Sequence, residues 1–273
     1  MANHVLGDRG PQVQVPAELA LSICIAVGPN EPIEPVLETI ESVLLQEHRD
    51  VEIIIKTFGN HLEQILRPYA SAVGEGRARL ICGRDSGIYD AFNICADAAR
   101  GRYIMFLGCG DTLAHRQVVN TVAAQPADAE ASDALYGGVL LRSGPGQAER
   151  EFDTRCFFGI RARLPWRNPC HHQGLIYRRS WLAKHPFRTD IGPLADLVHN
   201  YQHRMHDRAK WLDEPVSVFR QGGASTQVGL SASVRRMRAV LVNCEFFRCP
   251  WAWKVMSIAV LTLRYLVDRF RLA

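Results

Sequence analysis

DSGIYDAFNICADAARGRYIMFLGCGD, residues 85–111, opens on Asp85 and closes on Asp111. Between the two carboxylates, Ile88, Ala91, Phe92, Cys95, Ala96 and Ala99 recur at helical spacing behind Ser86, a residue type that caps helices. Gly101 stops the predicted helix, and Tyr103–Leu107 is a short apolar run of strand type. The loop Gly108-Cys109-Gly110-Asp111 then leaves a carboxylate beyond the strand's C-terminal end, where open α/β sheets bind ligands. The stretch predicts acidic groups gathered at one edge of a sheet.

Working outward, Leu21–Val27 is a buried-strand run ended by Gly28-Pro29-Asn30. Ile33, Val36, Leu37, Ile40, Val43 and Leu44 mark one apolar helix face, and Val51–Ile55 is a second strand. Asn60 suits the cap of a short helix carrying Leu62, Ile65, Leu66 and Tyr69, and Arg77–Cys82 is a third strand. Strands alternating with helices imply parallel pairing with right-handed crossovers, a Rossmann-like sheet. Beyond Asp111 the pattern becomes mixed. A helix is expected around His115–Ala124, and Ala134–Leu141 with Glu149–Phe152 reads as a hairpin around Ser143-Gly144-Pro145-Gly146. Gln173–Arg178 reads as a strand, Leu194–Met205 as a helix, and Ala209–Leu212 and Val216–Arg220 as two short strands. The chain divides into a flexible leader (1–18), an α/β domain (19–228) and a helical segment (229–273).

Composition is that of a globular protein, 47% hydrophobic and 22% charged, which argues against disorder. A net charge of +4 is too small to point to nucleic acid, so no nucleic-acid partner is expected. Its distribution says more. Arg235, Arg236, Arg238, Arg248, Lys254, Arg264, Arg269 and Arg271 crowd the C-terminal segment against Glu245 and Asp268 alone. Lys254, Ser257, Arg264, Asp268 and Arg271 fall on one side of a helix, and Val255, Ala259, Leu263, Leu266 and Phe270 on the other, behind Trp251 and Trp253. Residues 251–271 therefore suit either a membrane surface or a protein surface, including a twin subunit in a homodimer, with a lean to the membrane. Eight cysteines without CxxC spacing read as buried free thiols of a reducing compartment. The N-terminus lacks the basic start of a signal peptide, and no apolar run reaches the roughly 18–20 residues of a spanning helix. The expected location is cytoplasmic, peripheral on the inner face of the cell membrane if the helix binds lipid.

DSGIYDAFN followed by ARGRYIMFLGCGD resembles the family 2 inverting nucleotide-sugar glycosyltransferases of GT-A fold, and within them bacterial enzymes of the colanic-acid type. TIESVLLQ in the first helix, HQGLIYRR at 172–179, AD at 195–196 and the ending FRQGGAST match in the same order, over roughly residues 20–226. The resemblance implies a mostly parallel Rossmann-like sheet with a mixed acceptor lobe. It implies transfer of a sugar from a nucleoside diphosphate to a hydroxyl of a polysaccharide, a glycolipid or a lipid-linked saccharide. The leaving diphosphate must be neutralised, commonly by Mg2+ or Mn2+ held by a carboxylate, and a second carboxylate must take the acceptor's proton.

By motif match, Asp111 takes the metal and Asp196 is the base. Asp85, Tyr89, Asp90 and Asn93 are assigned to the donor, Asp85 and Asp90 to donor or metal, and His172 and Gln173 to acceptor or substrate. Many relatives carry an acid after the second strand, where this chain reads Lys56-Thr57-Phe58-Gly59-Asn60-His61; a lysine there would meet a phosphate or a different base. A paralogue that kept the fold and binds a nucleotide sugar or lipid carrier without turnover is the alternative. Cys170-His171-His172 and the row His199, His203, His206 lack the partner ligands of a zinc site.

Overall fold

The computed structural model describes residues 19–58, 64, 67–126, 132–144, 149–152, 170–222 and 230–271. The leader, the segment around Asn60, the tip of the hairpin turn and the second half of FRQGGAST lie outside them.

Four parallel strands form one half of the sheet: β1 (Leu21–Val27), β2 (Val51–Thr57), β3 (Ala78–Cys82) and β4 (Tyr103–Leu107). They stand in the order β3-β2-β1-β4, so the chain reverses its direction of travel across the sheet between β1 and β4. That switch point opens a crevice at the C-terminal strand ends. The crossovers are α1 (Ile33–Leu44), α2 (Ala70–Gly74) and α3 (Ile88–Ala98). The order then continues β8-β6-β9-β5, with β7 (Arg150–Phe152) on the flank of β6 (Ala134–Arg142). β8 (Leu175–Arg178) runs antiparallel to both β4 and β6, and β9 (Ala209–Arg220) parallel to β6. The hairpin and the mixed second half are thus as the sequence predicts.

Strand alternation sorts the side chains into two cores. Leu21, Ile23 and Ile25 of β1 and Met105 and Leu107 of β4 pack with Val36, Ile40 and Val43 of α1 and with α4 (Val118–Ala123). Cys24, Ile54, Ile104 and Phe106 face the other way, onto Phe92 and Cys95 of α3 and onto Ala239, Val240, Cys244 and Leu261 of the C-terminal helices. Each fully buried aliphatic side chain contributes about 1.5–3 kcal/mol, so neither layer is dispensable.

Three local readings are corrected. Ser86 does not cap α3: Gly87 holds the cap position without a side-chain bond, and Asp90 reaches back to Ser86 instead. The expected helix 194–205 divides into α6 (Ala195–Gln202) and α7 (Met205–Arg208), because Arg204 adopts a left-handed φ of 52°. His206 therefore leaves the helix face that carries His199. The two strands expected at 209–220 are one, since register shifts against Gly138 take up Pro215. β5 (Thr112–Leu113) pairs β9 only at Ser217 and Val218, so the proline's missing N–H is tolerated there.

Opposite the crevice, Glu52 is fully buried. It accepts from Ser22 Oγ at 2.7 Å, the Arg100 backbone at 2.7 Å and Arg79 Nη2 at 2.8 Å. Burial works against the charge, yet these donors hold its carboxyl below the usual carboxylate range. Glu52→Ala leaves them unsatisfied and is expected to cost about 3 kcal/mol of stability at neutral pH, measured by urea unfolding. Because the folded pKa is depressed, this contribution is present above the unfolded value near about 4.3 and fades as pH falls through the folded one.

Candidate active site

Asp111 stands at the end of the β4 loop, only 3% exposed. Its Oδ2 accepts from the Gly108 backbone at 3.0 Å and from Gln173 Nε2 at 3.1 Å, and its Oδ1 from the Arg220 backbone at 2.9 Å. The loop needs Gly110. Its φ is 89°, its N–H donates to Thr39 Oγ1, and a Cβ there would come within 2.8 Å of Arg220 Cδ. Burial pushes the Asp111 carboxyl up to about 6, against the pull of the three N–H donors and the Arg220 charge.

A single 3-10 turn, His172–Gly174, joins this carboxylate to the second one. Gln173 faces Asp111, and its carbonyl accepts from Ser217 Oγ. His172 lies nearly parallel to Phe106 at 5.6 Å, with Tyr89, Phe92 and Phe187 around it. Burial lowers its pKa to about 4, and neither ring nitrogen meets a protein partner among the described residues. His171, just before the turn, donates its backbone N–H to the Tyr136 hydroxyl and lies within the field of Asp196. Burial first, then the charge His172 would carry, brings His171 down to about 4, while Asp196 works the other way. Both imidazoles are thus neutral at physiological pH.

Asp196 sits in the first turn of α6, where the helix N-terminus favours a carboxylate. The Tyr89 hydroxyl hydrogen-bonds it, and burial together with that carboxylate raises the phenol well above its ordinary range. Tyr89, assigned by sequence to the donor, is thereby placed at the candidate base. Asp196, Tyr89, His171 and His172 form one cluster, and Gln173 and Asp111 adjoin it.

The remaining residues divide differently. Asp85, beyond β3, accepts from Lys56 Nζ at 2.9 Å and from the Gly87 backbone at 3.1 Å. Lys56 is 2% exposed, also donates to the Gly83 carbonyl at 2.6 Å, and lies 5.2 Å from the Phe58 ring. β3 and β4 are three strand spacings apart in the sheet, roughly 14 Å, and the Asp85 carboxylate is engaged by Lys56 and Gly87. The Asp90 carboxylate is taken by the Ser86 backbone and hydroxyl at 2.8 and 2.9 Å, which serves the helix start. Both ends of the Asn93 amide are taken by the Phe187 backbone at 2.9 and 3.0 Å, which ties α3 to the loop that carries Phe187.

A sequence model described as glycosyl transferase family 2 matches residues 23–185. The chain belongs to this family. Curated glycosyltransferases of Mycobacterium bovis and Mycobacterium tuberculosis, named for PGL/p-HBAD biosynthesis, are 35% identical over 166 residues, 59% of this chain. The chain spans about 61% of the length of these relatives. Among solved structures, S. aureus TarS 1–349 in complex with UDP superposes with a TM-score of 0.60 at 15% identity, over 90% of this chain and 72% of that one. The Pyrobaculum calidifontis mannosyltransferase PcManGT, in complex with GDP-Man and Mn2+, gives 0.56 at 17%, over 89% and 69%. These likenesses establish the GT-A architecture.

As a member of family 2, the chain has two features that its motifs understate. Arg220 anchors Asp111 through its backbone and places its guanidinium beside Gly110, 3.2 Å from where a Cβ would stand; it is the second residue of FRQGGAST, but the motif match gave it no role. The Lys56–Asp85 pair was visible as an oddity at Lys56, but the partner, 29 residues away, was not.

The raised Asp111 pKa gives a sign that can be checked. Since a proton binds the folded carboxylate more tightly than the unfolded one, its contribution to stability is fully present below about pH 3.9 and is lost as pH rises through 6. Asp111→Asn removes that dependence, worth on the order of 2–3 kcal/mol between the two limits. If the ionised form is the working one, kcat/KM of the wild type falls on the acid side with an apparent pKa near 6, and Asp111→Asn has no measurable turnover.

Proposed function

We propose that the protein transfers a sugar from a nucleoside diphosphate donor to a hydroxyl of a glycolipid or lipid-linked saccharide, with inversion at the anomeric carbon. The observation that carries this reading is the turn at 171–174, which sets Gln173 on Asp111 and His171 beside Asp196. The family 2 membership and the naming of the mycobacterial relatives support transfer and a glycolipid-type acceptor. The colanic-acid-like motifs support a polysaccharide acceptor more weakly.

In this reading the acceptor hydroxyl lies against Asp196, which takes its proton as the oxygen bonds to the anomeric carbon. The bond from that carbon to the diphosphate oxygen breaks on the opposite face, and its electron pair leaves with the diphosphate. Tyr89 orients the carboxylate. His171 and His172, neutral and dry, line the pocket without adding a competing charge. Asp111 and Arg220 face the diphosphate end.

A divalent cation fits this donor set sparingly. Asp111 Oδ1 takes one N–H donor and so keeps acceptor capacity, and among the described residues no group of three Asp, Glu, His or Cys side chains gathers around a metal. Mg2+ or Mn2+ held by one carboxylate, with the diphosphate and water as its other ligands, matches the oxygen preference of both ions. The ion would offset charge on the leaving diphosphate. The structural likeness to a Mn2+ complex supports the same reading.

A thermal-shift screen of UDP- and GDP-sugars with and without Mn2+ tests the donor. A true donor at about 100 times its Kd adds roughly 2.7 kcal/mol and raises the melting point by several degrees. No shift with any nucleotide sugar overturns the reading. Asp196→Asn is expected to lower kcat by about 10²–10⁴ while the donor's shift persists; near-normal turnover in that variant removes Asp196 from the role of base.

A further inference from the structure

The C-terminal helices are turned the opposite way from a helix that hides its apolar stripe. α8 (Leu230–Phe246) packs on α6 and on α9 (Trp251–Arg271), with the left-handed Arg248 and Pro250 making the bend between them. These helices bury Ala239, Val240, Cys244 and Leu261 together with the polar Asn243 and Ser257, and Cys244 hydrogen-bonds Ser257. The stripe named from the sequence points outward. Trp251 is 75% exposed, Leu263 64%, Phe246 58% and Val255 51%, with Met256 and Leu266 also uncovered. On α8, Val234, Met237, Arg238, Leu241, Val242 and Glu245 wall an open groove of about 480 Å³.

The segment that bears this apolar surface is positively charged overall. Residues 230–271 hold eight Lys or Arg and two Asp or Glu, a net +6, while the whole chain is +4, so the remainder is −2. A second copy would bring the same positive surface to the contact and be repelled, whereas an anionic sheet would be attracted. Among the described residues no helix is long and apolar enough to cross a membrane. Exposed tryptophans at the start of α9, an apolar flank and flanking bases describe an element that lies in an interface.

We propose that α8 and α9 together are a docking surface for an anionic bilayer, seated with the outward flank of α9 and the groove of α8 among the acyl chains. The inference deepens the glycosyl-transfer reading by placing its acceptor in a membrane, but it stands on the helices alone. Tyr201 of α6 touches Phe247 at the bend, and Asp196 opens the same α6, so docking holds the base at a fixed height above the lipid.

Flotation of the full chain with vesicles tests it. Binding is expected to an equal mixture of phosphatidylcholine and phosphatidylglycerol, to weaken on going from about 0.05 M to about 0.5 M salt, and to be much poorer on phosphatidylcholine alone. The double variant Trp251→Glu, Leu263→Glu should bind at least about tenfold more weakly, with an unchanged melting point because both side chains are exposed. Failure to bind the mixed vesicles overturns the proposal. So does a wild-type dimer at micromolar concentration that the same variant dissociates. Donor-dependent thermal shifts are read on the same samples, so loss of the transfer reading and loss of the docking reading are told apart.

Discussion

Three residue pairs hold the two halves of this protein together: Tyr103 with Arg178, Ile104 with Tyr177, and Met105 with Ile176. They form the antiparallel seam between β4, the last of the parallel strands, and β8, the first strand of the mixed half. β8 is four residues long and pairs β6 on its other side, so a single short strand fixes the spacing of both halves. The turn that immediately precedes it is the one that spans Asp111 and Asp196. Register therefore governs chemistry. A slip of one residue at this seam would invert every side chain of β8 and carry Gln173 away from Asp111.

The seam also explains why the site is dry. Phe106 of β4 and Tyr177 of β8 lie on one face of the sheet and meet at 6.0 Å, and the His172 ring lies over Phe106. Tyr89, Phe92 and Phe187 complete the enclosure from α3 and from the loop that Asn93 secures. Removing water strengthens each electrostatic interaction inside such a site and raises the cost of any group left unpaired. His172, with two unmet nitrogens, is the group most exposed to that cost, and a bound hydroxyl would relieve it.

The parallel half was legible because its signals are local. β4 is an unbroken apolar run, β1 is broken only by Ser22 and β2 is centred on Ile53–Ile55, α1 and α3 keep helical spacing, and each lies within a few residues of a glycine or proline. The second half resisted where a long-range contact decides. Pro215 and its neighbours look like a strand break, yet pairing with Gly138 absorbs them into one strand. Arg204 carries no sequence mark of a helix stop, yet its backbone is left-handed and parts α6 from α7. At the site, Asp111 and Asp196 could be named from motifs. That Tyr89 hydrogen-bonds Asp196, that Asp90 and Asn93 bond to Ser86 and Phe187, and that Lys56 meets Asp85 are facts of three-dimensional proximity, which periodicity does not contain. The sidedness of α9 was legible; which side faces out was not, since that depends on α8.

The Lys56–Asp85 pair has an implication for how this pocket can change over generations. Both charges are withdrawn from water and each is the other's principal counterion. Replacing either alone strands its partner at a cost of about 3–5 kcal/mol, a large fraction of what keeps a domain of this size folded. A lineage that trades this lysine for an acid must therefore alter position 85 in concert or pass through a poorly folded ancestor. The two positions are coupled as one heritable unit, and that coupling makes the rim of this crevice resistant to gradual drift.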